Sequence, residues 1–266
     1  MANRRLEGKV VLVTGGARRL GRRIALTLAE AGADVSITYR TSKSEAAQTA
    51  DALAAFGVGA LAIECDVRSE EQVRNAITTV ASSFGRLDVL VNNAAVFAAE
   101  PLESLSLEAW DAVFAANVRG PFLVAREALP HLRAAEGRIV NMGSLGGLRA
   151  WATHAHYCAS KAALHSLTQA MAKAFAPEVS VNCVAPGWID FDAGIDVQAG
   201  APHPSVAGAT EVERRAGSLS AHLAAKTPMR RNGSAEDVAQ AVLFFASGPH
   251  FITGQVLAVD GGLSLV

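Results

Sequence analysis

Seven short apolar runs, separated by stretches of helical length, constrain this fold more than any other feature of the sequence. The runs are Val10–Val13, Val35–Tyr39, Ala60–Ile63, Leu87–Val91, Arg138–Met142, Val179–Val184 and Gln255–Val259. Several are apolar almost throughout, as a strand covered on both faces requires. Between them, Leu20, Ile24, Ala25 and Leu28 form one helical stripe, and Val73, Ala76, Ile77 and Val80 form another. Further helices are expected near Leu107–Leu132, Ala155–Phe175 and Ala235–Ala246. Strand–helix alternation with right-handed crossovers predicts an α/β fold, a doubly wound seven-stranded parallel sheet with helices on both faces. No linker or repeat divides the chain, so residues 1–266 read as one domain.

One stretch breaks the rhythm. Asp190 to Thr227 carries Gly194, Gly200, Pro202, Pro204, Gly208 and Gly217, then a polar helical run over Glu211–Ala225. Its length without strand character predicts a lid over a substrate, at about 190–227, with a disordered insertion as the alternative.

Half the residues are hydrophobic and 18% are charged, enough for a substantial core. A net charge of −1 argues against nucleic-acid binding, which needs a basic face. No apolar run approaches the roughly 18 residues of a membrane span, so no membrane partner is expected. No secretory segment precedes the first strand. Cys65, Cys158 and Cys183 are scattered and odd in number, which suggests neither a disulfide framework nor a metal site. A reducing cytoplasm is the default expectation.

The first run leads into Thr14-Gly15-Gly16-Ala17-Arg18-Arg19-Leu20-Gly21. A strand end feeding a helix N-terminus binds anions, because free N–H groups point outward and the dipole is positive there. The first such turn of a doubly wound sheet is where a pyrophosphate sits. Gly15 lets the chain turn sharply, and Gly21 lets the helix pack close. After the second run stands Tyr39-Arg40-Thr41-Ser42, where a site for NAD would place an acid on the ribose hydroxyl. Arg40 would instead attract a 2′-phosphate, with Arg18 or Arg19 approaching from the first loop. Thr41 and Ser42 can add hydroxyls. Charge-assisted hydrogen bonds contribute roughly 1.5–3 kcal/mol each, so two favour NADP(H) over NAD(H) by about a hundredfold. Asp66-Val67 follows the third run; Asp66 either accepts from the adenine amino group or caps the helix that starts near Ser69. Asn92-Asn93-Ala94-Ala95 follows the fourth, where small residues leave room for a ribose.

Tyr157 and Lys161 stand four apart and share a helical face. Ser144 lies thirteen residues before Tyr157, at the end of the fifth run. Reduction of a carbonyl needs a proton donor for the developing alkoxide. A free phenol has a pKa of about 10, and a lysine cation ~4 Å away at an effective dielectric of ~20 could bring it to about 7. Ser144 can hold the carbonyl oxygen against Tyr157. Asn117 sits in an otherwise apolar helix, either satisfied by water or anchoring a proton-relay water near Lys161.

On these motifs, together with Pro186-Gly187-Trp188-Ile189 and Asp260-Gly261-Gly262, the sequence resembles the short-chain dehydrogenase/reductase family over essentially its whole length. The resemblance implies a Rossmann-type fold binding NADP(H), with contacts from Gly15, Arg18, Arg19, Leu20, Gly21, Tyr39, Arg40, Thr41, Ser42, Asp66, Val67, Asn93, Ala94, Ala95, Pro186, Gly187 and Ile189. It implies Tyr157 as acid/base, Lys161 as phenol activator and ribose binder, Ser144 as substrate polariser and Asn117 as water anchor. It also implies a homotetramer, or sometimes a dimer, with Ala155–Phe175 and the Leu107–Leu132 helix between subunits.

Two positions depart from the family pattern. Arg19 replaces the middle glycine of TGxxxGxG; with Tyr39-Arg40 it is similar to the pteridine-reductase branch, although that branch often has Asp where Ser144 stands. Phe191 occupies a position where many members have a cofactor-binding Thr. Phe97, Trp151, His154 and Trp188 are expected around the substrate; metal binding by His154 and His156 is disfavoured. The expected activity is NADPH-dependent reduction of a small-molecule carbonyl, a 3-oxoacyl thioester or other small ketone. A pterin or other cyclic imine is the alternative, and an NADP-sensing protein without turnover is the remote one.

Overall fold

The computed structural model describes residues 4–190 and 219–266. Seven strands form one parallel sheet: β1 (Val10–Val13), β2 (Asp34–Tyr39), β3 (Ala60–Glu64), β4 (Val89–Asn92), β5 (Arg138–Met142), β6 (Ser180–Pro186) and β9 (Val256–Val259). Their order is β3-β2-β1-β4-β5-β6-β9. The chain winds outward from β1 in one direction, then returns to β4 on its other side and winds the opposite way. Two short strands, β7 (Ile189–Asp190) and β8 (Gly233–Ser234), pair parallel outside this sheet. All seven expected strands are present, and the chain folds as a single Rossmann-type domain.

Alternation along β1 explains the layering. Val11 and Val13 face one way, packing with α1 (Arg19–Glu30), α2 (Lys43–Ala54) and α7 (Ala235–Ser247). Val10 and Leu12 face the other, into a core shared with α3 (Glu70–Phe84), α5 (Gly120–Ala134) and α6 (Ala155–Phe175). Ile24, Ala25 and Leu28 of the first expected stripe are fully buried, and so is Val80 of the second. Full burial of a Leu or Ile side chain contributes roughly 1.5–3 kcal/mol. Ser69 caps α3 by accepting from the Gln72 N–H, and a reciprocal Ser234–Asp237 box starts α7.

Helix α2 was not expected from sequence. It is Ala-rich and polar, and only Ala46, Thr49 and Leu53 are buried. The helix expected over Leu107–Leu132 is continuous but not uniform. It comprises α4 (Leu107–Phe114), a π-helical turn over Ala115–Arg119, and α5. Such wide turns are rare and concentrate at functional sites. Of the expected lid, residues 191–218 lie outside the described residues, Phe191 among them; residues 219–226 are helical. No helix among the described residues is long and apolar enough to cross a membrane.

Candidate active site

The chain reverses its winding at β1, so the loops after β1 and β4 diverge and leave a crevice. A cleft of about 640 Å³ opens there, along the C-terminal ends of the strands. Every residue expected at the cofactor lines it: Gly15, Arg18, Arg19, Leu20, Gly21, Tyr39, Arg40, Thr41, Ser42, Asp66, Val67, Asn93, Ala94, Ala95, Pro186, Gly187 and Ile189. Ser144, Tyr157, Lys161, Phe97, Trp151 and Trp188 line the same cleft. His154 does not; it stands behind Phe97, its ring stacked at 4.8 Å. His156 is fully buried, and neither ring nitrogen has a hydrogen-bond partner among the described residues.

The phosphate-type loop is tied down by its neighbours. Gly15 has φ +66°, and its N–H donates to Thr38 Oγ1 at 3.2 Å. The Thr14 hydroxyl accepts from the Asn93 and Ala94 N–H groups, each at 3.0 Å. The Asn93 amide donates to the Thr14 and Gly15 carbonyls at 2.9 and 3.1 Å. Asn93 therefore holds the loop as well as facing the cleft. A Cβ on Gly21 would lie 2.2 Å from the Gly15 carbonyl oxygen and 2.5 Å from the Asn93 amide nitrogen, so only glycine fits. Thr49 of α2 donates to the Ala17 carbonyl at 2.8 Å, which gives the unexpected helix a role beneath the loop.

Arg19 has φ +49°, a left-handed conformation. The position keeps the backbone shape of the glycine it replaces while carrying a guanidinium. Asp66 accepts from the Arg68 N–H at 3.0 Å and from its guanidinium in a fork, Nε to Oδ1 at 2.9 Å. Arg68 holds the Asp66 carboxyl below its usual range, with a smaller contribution from Arg40. Asp66 is thus not the cap of α3; Ser69 is. Sequence reasoning missed Arg68, which lines the cleft beside these groups.

At the other end, Ser144 follows β5 and its hydroxyl accepts from the Gly146 N–H at 3.0 Å. A hydrogen bond with Ser144 favours the Tyr157 phenolate, but burial dominates and pushes the phenol up to about 12. The Lys161 ammonium donates to the Met142 carbonyl at 2.7 Å and lies 5.7 Å from the Tyr157 ring centroid. Burial pulls Lys161 down to about 8. Burial thus opposes the charged form of each group, while the expected pairing of Lys161 with the phenol relies on both charges. The lysine is desolvated and aimed at a carbonyl, and Tyr157 is held in its proton-bearing form.

Asn117 lies in the wide turn, fully buried. Its amide donates to the Val96 carbonyl at 2.9 Å and to Ser160 Oγ at 3.0 Å, and its oxygen accepts from the Val96 N–H at 2.8 Å. Protein groups take both side-chain donors, so any water on this amide would have to donate to its oxygen. It joins the cleft segment after β4 to α6. A second buried chain runs beneath: Asn92 donates to Asn141, and Asn141 to Thr168 of α6, each at 2.9 Å. His165, also unforeseen, accepts from the Ser144 N–H at 3.5 Å. Burial and nearby Lys161 lower it to about 4, so it is neutral. Cβ atoms on Gly143 or Gly147 would lie 2.4 and 2.6 Å from its ring, so the Ser144 loop wraps this imidazole closely.

No group of His, Cys, Asp and Glu among the described residues could hold a metal ion. A glycine-tight, arginine-rimmed loop at one end and a phenol, hydroxyl and ammonium at the other fit an elongated dinucleotide with its reactive ring beside Tyr157.

Comparison with known proteins places this arrangement. A family model described as enoyl-(acyl carrier protein) reductase matches residues 15–264. The chain is 35% identical over 258 residues to a 3-oxoacyl-[acyl-carrier-protein] reductase of Staphylococcus aureus, covering 96% of this chain and 98% of that one. A crystal structure of a short-chain dehydrogenase from Burkholderia cenocepacia in complex with NADP is 38% identical. It covers 97% of this chain and 99% of that one, with a TM-score of 0.83. A short-chain dehydrogenase/reductase from Serratia marcescens, 36% identical, superposes with a TM-score of 0.84 and the same coverage. Matched from end to end in sequence and in fold, the chain belongs to the short-chain dehydrogenase/reductase family of oxidoreductases.

Proposed function

We propose that this protein is an NADPH-dependent reductase of ketones. The observation that carries the reading is convergence. One continuous cleft joins Arg18, Arg19 and Arg40 to Ser144, Tyr157 and Lys161. Gly15, Leu20, Gly21, Asn93, Ala94 and Ala95 would hold the dinucleotide by close backbone approach, with Asp66 and Val67 at its adenine end. Tyr39 leaves out the acid that would repel a 2′-phosphate, and Thr41 and Ser42 add donors. Pro186, Gly187 and Ile189 would hold its nicotinamide end.

When bound, NADPH supplies the hydride that adds to the carbonyl carbon. The Ser144 hydroxyl holds the carbonyl oxygen beside Tyr157. As the carbonyl π pair moves onto that oxygen, the Tyr157 hydroxyl gives it a proton, leaving an alcohol and a phenolate. The Lys161 ammonium stabilises the phenolate and orients the ribose. Asn117 positions the segment after β4 against α6. A 3-oxoacyl thioester or other small ketone is the substrate class, by likeness to the Staphylococcus aureus reductase. Arg19 with Tyr39-Arg40, similar to the pteridine-reductase branch, keeps a cyclic imine as the second reading.

The setting is a cytoplasmic homotetramer. Exposed Leu107 and Phe122, on the helices expected between subunits, support the assembly. An NADPH-oxidation screen over acetoacetyl thioesters, simple ketones, quinones and dihydrobiopterin tests the reaction. Tyr157→Phe should bind NADPH normally and lose turnover by orders of magnitude; near-normal rates would refute the mechanism.

A further inference from the structure

The substrate end of the cleft is walled by rings. Phe97 meets Tyr157 edge-on, with centroids 4.7 Å apart and planes at 87°. Trp151 lies 6.3 Å from Tyr157 with the planes 16° apart. His154 braces both from behind, stacked on Phe97 at 4.8 Å and edge-on to Trp151 at 5.6 Å. Trp188 completes the wall, and its Nε1–H donates to Asp190 at 3.1 Å. Asp190 in turn accepts from Ser220 at 3.1 Å and Asn232 at 2.9 Å, so the indole is held in place. Only 6% of the chain is aromatic, yet two of its three tryptophans stand here.

Charge is distributed the other way. The arginines lining the cleft, Arg18, Arg19, Arg40 and Arg68, belong to the loops after β1, β2 and β3. Ala95, Val96, Met142 and Pro186 also line the cleft, and among the described residues that line it outside those loops the lone cation is Lys161. A ligand here is recognised by faces and edges rather than by ion pairs. Two ring planes separated by at most 6.3 Å leave no room for a third between them, which needs about 7 Å. A planar ligand therefore stacks along the wall rather than inserting into it. A saturated chain gains only burial on such a wall, whereas a planar ring adds oriented ring–ring attraction.

We infer that the site selects ketones whose carbonyl is borne directly on a planar aromatic ring, in preference to saturated ketones and 3-oxoacyl thioesters. This rests on the ketone-reductase reading and narrows it. Conjugation makes an aryl carbonyl the poorer hydride acceptor, so intrinsic reactivity opposes the expected preference.

The test compares kcat/KM with NADPH for acetophenone, methyl cyclohexyl ketone and acetoacetyl-coenzyme A. The two methyl ketones differ mainly in ring planarity. Acetophenone should exceed methyl cyclohexyl ketone by on the order of tenfold, from two ring contacts. Trp151→Leu and Phe97→Leu should each cut that ratio by roughly three- to tenfold. Circular dichroism and NADPH affinity check that the variants are folded. Inhibition of the wild type by 1-phenylethanol against 1-cyclohexylethanol repeats the comparison without any variant, and the aryl alcohol should bind tighter. A wild-type ratio near one, a ratio unmoved in folded variants, or a clear preference for acetoacetyl-coenzyme A overturns the inference and leaves ketone reduction standing. Failure to turn over any ketone removes the parent reading, and this inference with it.

Discussion

Arg19 sets backbone shape against charge, and two substitutions separate them. Its φ of +49° is a conformation that costs a residue with a side chain roughly 1–2 kcal/mol. Glycine removes that cost, but its greater freedom in the unfolded chain takes back roughly 0.5–1 kcal/mol. Arg19→Gly should therefore be the more stable protein by on the order of 1 kcal/mol, or about 2 °C for a chain of this size. Arg19→Ala keeps the strain and should gain nothing. Both variants lose the same cation. If Arg19 makes one charge-assisted bond to a 2′-phosphate, worth roughly 1.5–3 kcal/mol, the partly exposed site should yield the lower figure. NADPH affinity should then fall about tenfold in both variants, with NADH affinity unchanged. Thermal denaturation without cofactor reads the first effect, and titration with each cofactor reads the second. An Arg19→Gly no more stable than Arg19→Ala would falsify the strain argument. An unchanged NADPH/NADH ratio in both would remove the phosphate argument.

Other outcomes follow from the buried polar groups. Asn117→Ala strips partners from both Val96 backbone groups and from Ser160; at roughly 1–3 kcal/mol for each orphaned group, it should cost several kcal/mol in urea denaturation. A loss under 1 kcal/mol would show that the joint is slack. Burial alone would raise the Asp88 carboxyl, but Arg86, the Val10 N–H and Lys9 hold it low. Its contribution to stability is therefore full above the unfolded value of about 3.9 and lost as pH falls through the lower folded value. Asp88→Asn should flatten that acid limb, visible as a smaller change in the urea midpoint between pH 5 and pH 3. Lys161, pulled down to about 8, carries its charge below that pH. Since kcat/KM reports groups of the free enzyme, it should decline above about pH 8, and a flat profile to pH 10 would contradict the buried position of the ammonium.

The central strands were legible because they are buried on both faces and so read as apolar runs; the edge strands β3 and β9 are only half-buried and were legible from their apolar residues alone. Helices α1, α3 and α6 were legible from their stripes or their length. Helix α2 escaped because three small contacts suffice to seat it. The wide turn at Ala115–Arg119 leaves no trace in composition; tertiary bonds from Asn117 accompany it, and a periodicity reading cannot see them. Among the site residues, glycines and short motifs announced their positions. Arg68, His165 and Asp190 did not, because each acts on a neighbour brought close only by the fold. For Lys161, spacing could not show its own desolvation, which opposes the charge it carries beside the phenol. Electrostatic reasoning from spacing assumed a lysine free to point at the phenol.

The reversal of winding at β1 has a consequence for how such a protein changes over time. The crevice exists because two connections leave adjacent strands in opposite directions, and no choice of side chains would close it. Topology decides that something binds there, and roughly where. Substitution at Arg19, Arg40, Phe97, Trp151 or Trp188 alters only what is admitted, without rebuilding the core beneath. Location and selectivity are thus stored separately. A lineage can lose one substrate and take up another by rewriting a handful of loop positions, while the sheet that carries them stays as it is.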